Sequence, residues 1–297
     1  SVTSYSGGAM RRDTRILVIA RVAIAIAAAV HMGMFAAVGR AGPPLMTDDS
    51  ETPGSGGWEI NVSHSIEQTR DEFQMLTPLI DINYGLTEND QWKIEFPIVF
   101  VDPTDRAERW GAGDIEIGWK YRFWDEDCQG IMASCYPQLL IPTADIGGLL
   151  PDETERVGLG DGFTELFLPL EVGKHFYDEQ LFVFGEVGYN TVFDRDGTNE
   201  WFYGVAFEWS HSDRLKLLFE VGGVAIEGSG GPDHAFFNGG WKYELNDRCS
   251  FIGSAGRSFR ERRSGAPDLL AFVGFQFTLP GGSDAAECCC RRDSYCR

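Results

Sequence analysis

The residues best able to do chemistry are four histidines, His64, His175, His211 and His234. An imidazole set beside a nucleophile and held by a third group would make a hydrolase or acyl transferase. His175 and His211 fall in short polar turns with no nucleophile motif beside them and read as solvated turn residues, and the chain has no GxSxG. His64 lies on the apolar side of its ribbon between Ser63 and Ser65, again without a recognisable nucleophile motif. The pieces Gly111–Gly113 and Gly158–Gly160 open no helix, so they read as turns and not as phosphate cradles. DPTDRAE (102–108) and LPDETER (150–156) are acidic but lack a spaced Ca²⁺ frame with a closing bidentate acid. They read as solvated loops, or as loops bridged to lipopolysaccharide by cations. The tail Cys288, Cys289, Cys290 and Cys296 lacks the paired spacing of a structural zinc site, and a Cys128–Cys135 pair is left open. Asn61-Val62-Ser63 is a glycosylation sequon placed inside a strand, which argues against its use. The expectation is no catalytic residue, no metal and no cofactor.

What must position these residues is a set of two-faced ribbons. In DIEIGWKYRF (114–123), Ile115, Ile117, Trp119, Tyr121 and Phe123 share one face and Asp114, Glu116, Gly118, Lys120 and Arg122 the other. Such a strand is half of a soluble sandwich, or a stave of a barrel whose apolar face meets lipid. Period-two runs recur near 57–68, 72–84, 91–101, 113–124, 130–142, 163–174, 180–192, 200–210, 214–225, 234–244, 248–257 and 269–279. The count is even, and many runs reach the roughly 9–11 residues that cross a bilayer at a tilt. Short turns at 86–90, 124–127, 175–180, 211–213 and 245–248 alternate with mostly longer loops at 102–112, 143–162, 193–199, 226–233 and 258–268. Outer-membrane barrels sort their connections in this way, short in the periplasm and long outside. The 36 glycines, 21 phenylalanines and 8 tryptophans suit tight turns and aromatic girdles.

The front of the chain reads as an export signal. Arg11, Arg12, Arg15 and Arg21 precede or open the apolar run from Val22 to Val38, with Met10 as the expected start and Ala41 as the expected cleavage point. Loss of residues 1–41 removes five basic residues and one acidic one, leaving 20 basic against 44 acidic and a formal charge of −24. That balance excludes nucleic acid as a partner, because phosphate binding needs clustered Lys and Arg. The expected organisation is a signal peptide at 1–41, a periplasmic segment at 42–56, a barrel at 57–279 and a disordered tail at 280–297.

Three stretches carry a family resemblance: AGPPLMTDD (41–49), GAGDIEIGWKYRF (111–123) and GLGDGFTELFLPLEVGKHF (158–176), supported by EWFYGVAFEW (200–209) and LNDRCSFIGSAGR (245–257). Together they resemble the outer-membrane β-barrel family named for the MetA pathway of phenol degradation. The resemblance implies a transport-type barrel without fixing its substrate. The closing AFVGFQFTL also resembles the aromatic-rich last strand by which barrels are recognised for insertion, although here 18 residues follow it.

The expected fold is therefore all-β, a closed antiparallel transmembrane barrel of about twelve strands in the outer membrane of a Gram-negative cell. Its expected partners are lipid and lipopolysaccharide, the barrel-assembly machinery and a small-molecule solute. Strand parity places Glu59, Glu95, Asp114, Glu116, Glu165, Glu171, Glu186, Glu208, Glu220 and Glu244 on the inner wall, against Lys93, Lys120, Arg122, Lys216 and Lys242. Phe163, Phe167, Phe182, Phe184 and Phe202 share that face. The expected function is a channel for passive uptake of small solutes, with aromatic or hydrophobic compounds as candidates. The alternatives are a lipid-modifying enzyme or a structural barrel without transport. Residues 42–57, rich in Pro, Gly and acids, are expected at the periplasmic mouth, partly covering or entering the pore.

Overall fold

The computed structural model describes residues 43–149, 155–160, 162–194, 197–228, 233–261 and 266–281. The expected signal peptide, the Cys-rich tail and part of the acidic 150–156 stretch lie outside the described residues.

Alternation of apolar and polar residues folds the chain into β1 (Trp58–Gln68), β2 (Glu72–Gly85), β3 (Asp90–Pro103), β4 (Arg109–Ala112) and β5 (Ile115–Trp124). A one-turn helix α1 (Glu126–Gln129) leads to β6 (Met132–Cys135) and β7 (Gln138–Ile141), and the minor pair β8 (Gly148–Leu149) and β9 (Glu155–Arg156) sits in the long loop that follows. Then come β10 (Glu165–Phe176), β11 (Leu181–Val192), β12 (Glu200–Ser212), β13 (Leu215–Ile226), β14 (His234–Asn246), β15 (Cys249–Glu261) and β16 (Leu269–Leu279). Sequential neighbours pair antiparallel, and β16 returns to β1 with Val62 opposite Phe275, which closes the sheet. Closure leaves no edge, so backbone N–H and C=O groups are satisfied within the wall, as lipid demands.

The barrel has twelve staves, because β4 with β5 and β6 with β7 are each one stave with a break. Pro137 breaks the second: it has no N–H to give, while its carbonyl still accepts from Trp119 N at 3.0 Å. The first breaks at Gly113–Asp114, opposite Pro97, where Gly113 N reaches Pro97 O at 3.0 Å. The expected ribbon at 113–124 is the strand β5, with β4 continuing its stave beyond the break, and the expected ribbon at 130–142 is corrected to the two short strands β6 and β7.

Two further corrections follow. His175 and His211 belong to β10 and β12, not to turns. The tight turn after β10 is made one step later, with Tyr177, Asp178 and Glu179 at positive φ. Phe163 stands in the bend before β10 and not on a strand face.

Outside, the wall is apolar, with Trp92, Phe219 and Trp201 about half exposed at 51%, 56% and 47%. Inside it is charged and closed, with Glu171, Glu220 and Lys120 at 0%, 1% and 2%. This is the reverse of a soluble barrel and the pattern of one solvated by lipid.

Candidate functional site

The lumen is occupied by the chain's own residues 43–50. Pro53-Gly54-Ser55-Gly56-Gly57 cannot extend as a strand and instead turns the chain over at the short-turn rim. Gly54 and Gly56 sit at φ +75 and +71, conformations that suit glycine. Gly57 N donates to Gly54 O at 3.0 Å, Gly56 N to Gly85 O at 2.8 Å, and Gly85 N to Gly57 O at 3.0 Å. A Cβ on Gly85 would stand 1.9 Å from Gly54 O, so the close approach needs glycine there. Thr52 Oγ1 adds a bond to Glu88 O at 2.7 Å.

Wall carboxylates then hold the segment by its backbone. Glu220 accepts the N–H of Met46 with one oxygen and that of Thr47 with the other, both at 2.8 Å. Asn238 Nδ2 steadies Glu220 at 2.6 Å. Glu186 accepts the N–H of Asp48 at 2.8 Å. Lys120 completes the seat: its ammonium lies 3.3 Å from Asp48 and 3.2 Å from Glu171, and it donates to the Asp49 carbonyl. Ser254 Oγ donates to the Pro44 carbonyl. Burial pushes the Asp48 carboxyl up, and the Lys120 ammonium opposes that rise.

Inner-face glycines make the room. A Cβ on Gly204 would lie 2.0 Å from Thr47 Oγ1, and one on Gly173 would lie 2.9 Å from Ser50 Oγ. Thr47 and Ser50 are accordingly buried.

The lumen is lined by apolar clusters and by polar groups. Leu45 packs among Met132, Phe182, Phe184 and Leu218, and Met46 packs on the cluster of Phe167, Phe202, Val224, Phe236 and Leu270. A third apolar cluster joins Leu76, Leu79, Val99 and Val101 to Val157 and Leu159 of the long loop, with Phe272 beside it. Phe272 and Leu270 are inner-face neighbours on β16, which links the third cluster to the second. A polar ladder runs through β1, β2, β3 and β5, on the same β2 and β3 that carry the third cluster. Asn61 and Asn83 donate to Asp81, Gln91 reaches Asn83 and Tyr136, and Lys93 pairs with Glu116 at 2.9 Å and Glu95 at 3.2 Å.

Of the residues expected inside by parity, Glu95, Glu116, Lys120, Glu165, Glu171, Glu186 and Glu220 are buried within the barrel. Glu59 bonds Asn61 at 3.2 Å, Glu208 pairs with Lys216 at 2.6 Å, and Lys242 stands opposite Lys216 in the β13–β14 register. The structure gathers Lys120, Glu171, Glu186 and Glu220 around the segment; Glu95 and Glu116 belong to the Lys93 group. Arg122 is set apart at the short-turn rim, on Asp125 and the Glu88 carbonyl. Asp114 stands at the β4–β5 break, where it accepts the Thr143 and Ala144 N–H groups at 2.8 and 2.9 Å and anchors the long loop.

The segment's own Asp48, and the glycines at 173 and 204 that admit it, were not legible as site residues. A signal existed in inner-face positions that lack side chains in neighbouring strands. His64 faces outward and shares 2.6 Å with Thr77 Oγ1. His175 stacks on Phe182 and meets Glu126 at 2.9 Å. Cys135 and Cys249 are free thiols, so no Cys128–Cys135 bridge forms.

The chain matches no protein-family model and no curated protein sequence. Among solved structures it is similar to an outer membrane channel from Pseudomonas putida F1, with a TM-score of 0.64 at 13% identity over 78% of this chain and 98% of that one. It is also similar to the NanC porin, with a TM-score of 0.50 at 9% identity over 74% of this chain and 100% of that one. The KdgM porin in complex with disordered oligogalacturonate gives 0.50 at 9% identity over 74% and 98%. At such identities the likeness establishes the fold: this chain is a closed twelve-stranded barrel of the outer-membrane type.

Proposed function

We propose that this protein is a channel of the bacterial outer membrane for passive uptake of small solutes, aromatic or hydrophobic in character, and that its N-terminal segment plugs it at rest. The observation that carries this reading is Leu45 and Met46 covering linked apolar clusters while wall carboxylates grip the backbone beside them. Hydrogen bonds to wall side chains, with no covalent tie, make a seat that can be left and retaken. Withdrawal uncovers an apolar path beside a polar one, and solutes move down their gradient with no nucleotide or cofactor needed. The resemblance to the phenol-pathway barrel family supports transport and leaves the solute open. Insertion by the barrel-assembly machinery and contact with lipopolysaccharide belong to this reading as consequences of the fold.

The test is planar-bilayer recording and liposome swelling on the refolded chain, with and without residues 43–50. Removal is expected to raise conductance severalfold. An equal, negligible current in both would refute the channel, and lipid hydrolysis by the same sample would favour an enzyme.

A further inference from the structure

One row of the inner wall holds two amides whose oxygens have nothing to bind. Ser250 on β15, Gln276 on β16, Asn61 on β1 and Asp81 on β2 are successive register partners, and Glu95 and Glu116 continue the row on β3 and β5. Asn61, Gln276 and Asp81 are buried, at 0%, 4% and 2% exposure. Asn61 Nδ2 donates to Glu59 at 3.2 Å and to Asp81 at 3.0 Å, so the two carboxylates fix that amide with its nitrogen toward them and its oxygen away. Asn61 Oδ1 and Gln276 Oε1 are then without a partner among the described residues. Buried carboxamides are normally satisfied, so two open acceptors side by side call for a donor.

The charge on the row calls for the same thing. Lys93 is shared by Glu95 and Glu116, at 3.2 and 2.9 Å. Among the described residues Asp81 is bonded by amides alone, those of Asn61 and Asn83. Glu59 shares the Asn61 nitrogen, with Lys242 of β14 acting on it from the side. Neutral amides hold a carboxylate without cancelling its charge, and an enclosed carboxylate is costly without a cation. Among the described residues no group of three acids, histidines or cysteines could hold a metal ion, whereas two amide oxygens beside a carboxylate match the donors of an ammonium.

The same face of β16 turns apolar a short way along. Gly274, which has no side chain, and the small Ser63 opposite it separate Gln276 from Phe272, and Phe272 packs against Leu76, Leu79, Val99 and Val101.

We propose that Asn61, Gln276 and Asp81 form a subsite for a primary ammonium group carried on an apolar body, the body lying over Gly274 toward Phe272. This rests on the channel reading and gives the charge of its solute. An ammonium has donors and no acceptor, so two N–H groups go to the open amide oxygens while Asp81 balances the charge. A carboxylate adds a like charge and is rejected. An alcohol brings one donor and no charge, and a quaternary ammonium brings charge and no donor.

The test is isothermal titration calorimetry on the full-length chain in detergent, with heats from empty micelles subtracted. The probes are butylammonium, butyltrimethylammonium, butanol, butyrate and ammonium chloride. Butylammonium is expected to bind about tenfold more tightly than butyltrimethylammonium or butanol, as hydrogen bonds from a charged donor dictate, and butyrate not at all. Ammonium chloride, with no apolar body, is expected to bind more weakly still. Gln276→Leu should weaken butylammonium about tenfold and leave butanol unchanged. Gln276→Glu keeps an acceptor and adds charge, so it should tighten butylammonium, which a merely structural role for Gln276 would not do; it also carries the test if the leucine variant fails to assemble. Equal binding of butylammonium and butyltrimethylammonium, or of butylammonium and ammonium chloride, overturns the subsite. Absence of butylammonium binding overturns it too, and is the result if the two amides satisfy one another. Ion current without butylammonium binding leaves the channel standing alone. Butylammonium binding by a chain that passes no current, with or without residues 43–50, keeps the subsite and removes the channel.

Discussion

Glu220 on β13 accepts the backbone N–H of Thr47 at 2.8 Å, and its second oxygen takes the neighbouring Met46 N–H at the same distance. A wall side chain thus grips main chain, in the way a carboxylate caps a helix N-terminus. The contact is charge-assisted and 1% exposed, so it is among the stronger bonds of the seat.

Glu220→Gln keeps one acceptor and turns an N–H₂ toward a backbone N–H. Loss of one such bond weakens seating by about 2 kcal/mol, or more than tenfold in the closed-to-open ratio. Single-channel recording should show open time rising accordingly, and unchanged gating would place the hold elsewhere.

Gly204→Val puts side-chain atoms where Thr47 Oγ1 now sits, 2.0 Å from the Cβ position. The substitution should open the channel as fully as deletion of residues 43–50, and the two together should do no more than either alone. Additive effects would mean that Gly204 acts on the wall and not on the plug.

Lys120 neutralises Asp48 and Glu171 from a fully enclosed position. Lys120→Met leaves those carboxylates uncompensated, at a cost of about 3–5 kcal/mol. Thermal unfolding in detergent, followed by circular dichroism, should fall by many degrees, and adding Glu171→Gln should recover part of the loss.

Plug seating should weaken as pH rises. Burial at the mouth, reinforced by Asp49, pushes the Glu51 carboxyl up to about 7, against the pull of His175 and with Glu208 and Lys216 also facing it. A carboxyl with a raised value binds its proton more tightly in the seated state than when withdrawn, so seating is favoured at low pH and loses that contribution as pH climbs from the ordinary carboxylate range through about 7. The Glu51 side chain is 54% exposed, which keeps the effect modest. Open probability should rise between pH 5 and pH 8, ranges set by those values, and Glu51→Gln should flatten the profile.

With residues 43–50 removed, the pore should prefer cations. The inner wall carries more carboxylates than ammonium groups, and a confined lumen screens them poorly. Reversal potentials in a salt gradient measure this, and Glu116→Gln with Glu165→Gln should lower the preference. Anion selectivity would mean that the Lys93 and Lys120 side chains define the narrowest point.

The strand count, the outward face of each stave and the alternation of short and long connections were all readable in the sequence, because side-chain period two and the chemistry of lipid act on each strand locally. The β1–β16 closure follows from the same even count. Other features depend on what stands across the lumen. Asp114 reads as one more inward strand residue, yet it caps the long loop 29 and 30 residues further on, at a break beside Pro97 and Gly113. Glu220 reads as one more inward charge, yet its partners are N–H groups 173 and 174 residues away. Gln138 reads as an ordinary polar strand residue. Only the closed barrel sets it in register with Phe167 and leaves both amide atoms without a partner among the described residues. Pairings of this kind are fixed by barrel closure and by which glycines leave space opposite them, and neither is a property of any local stretch of chain.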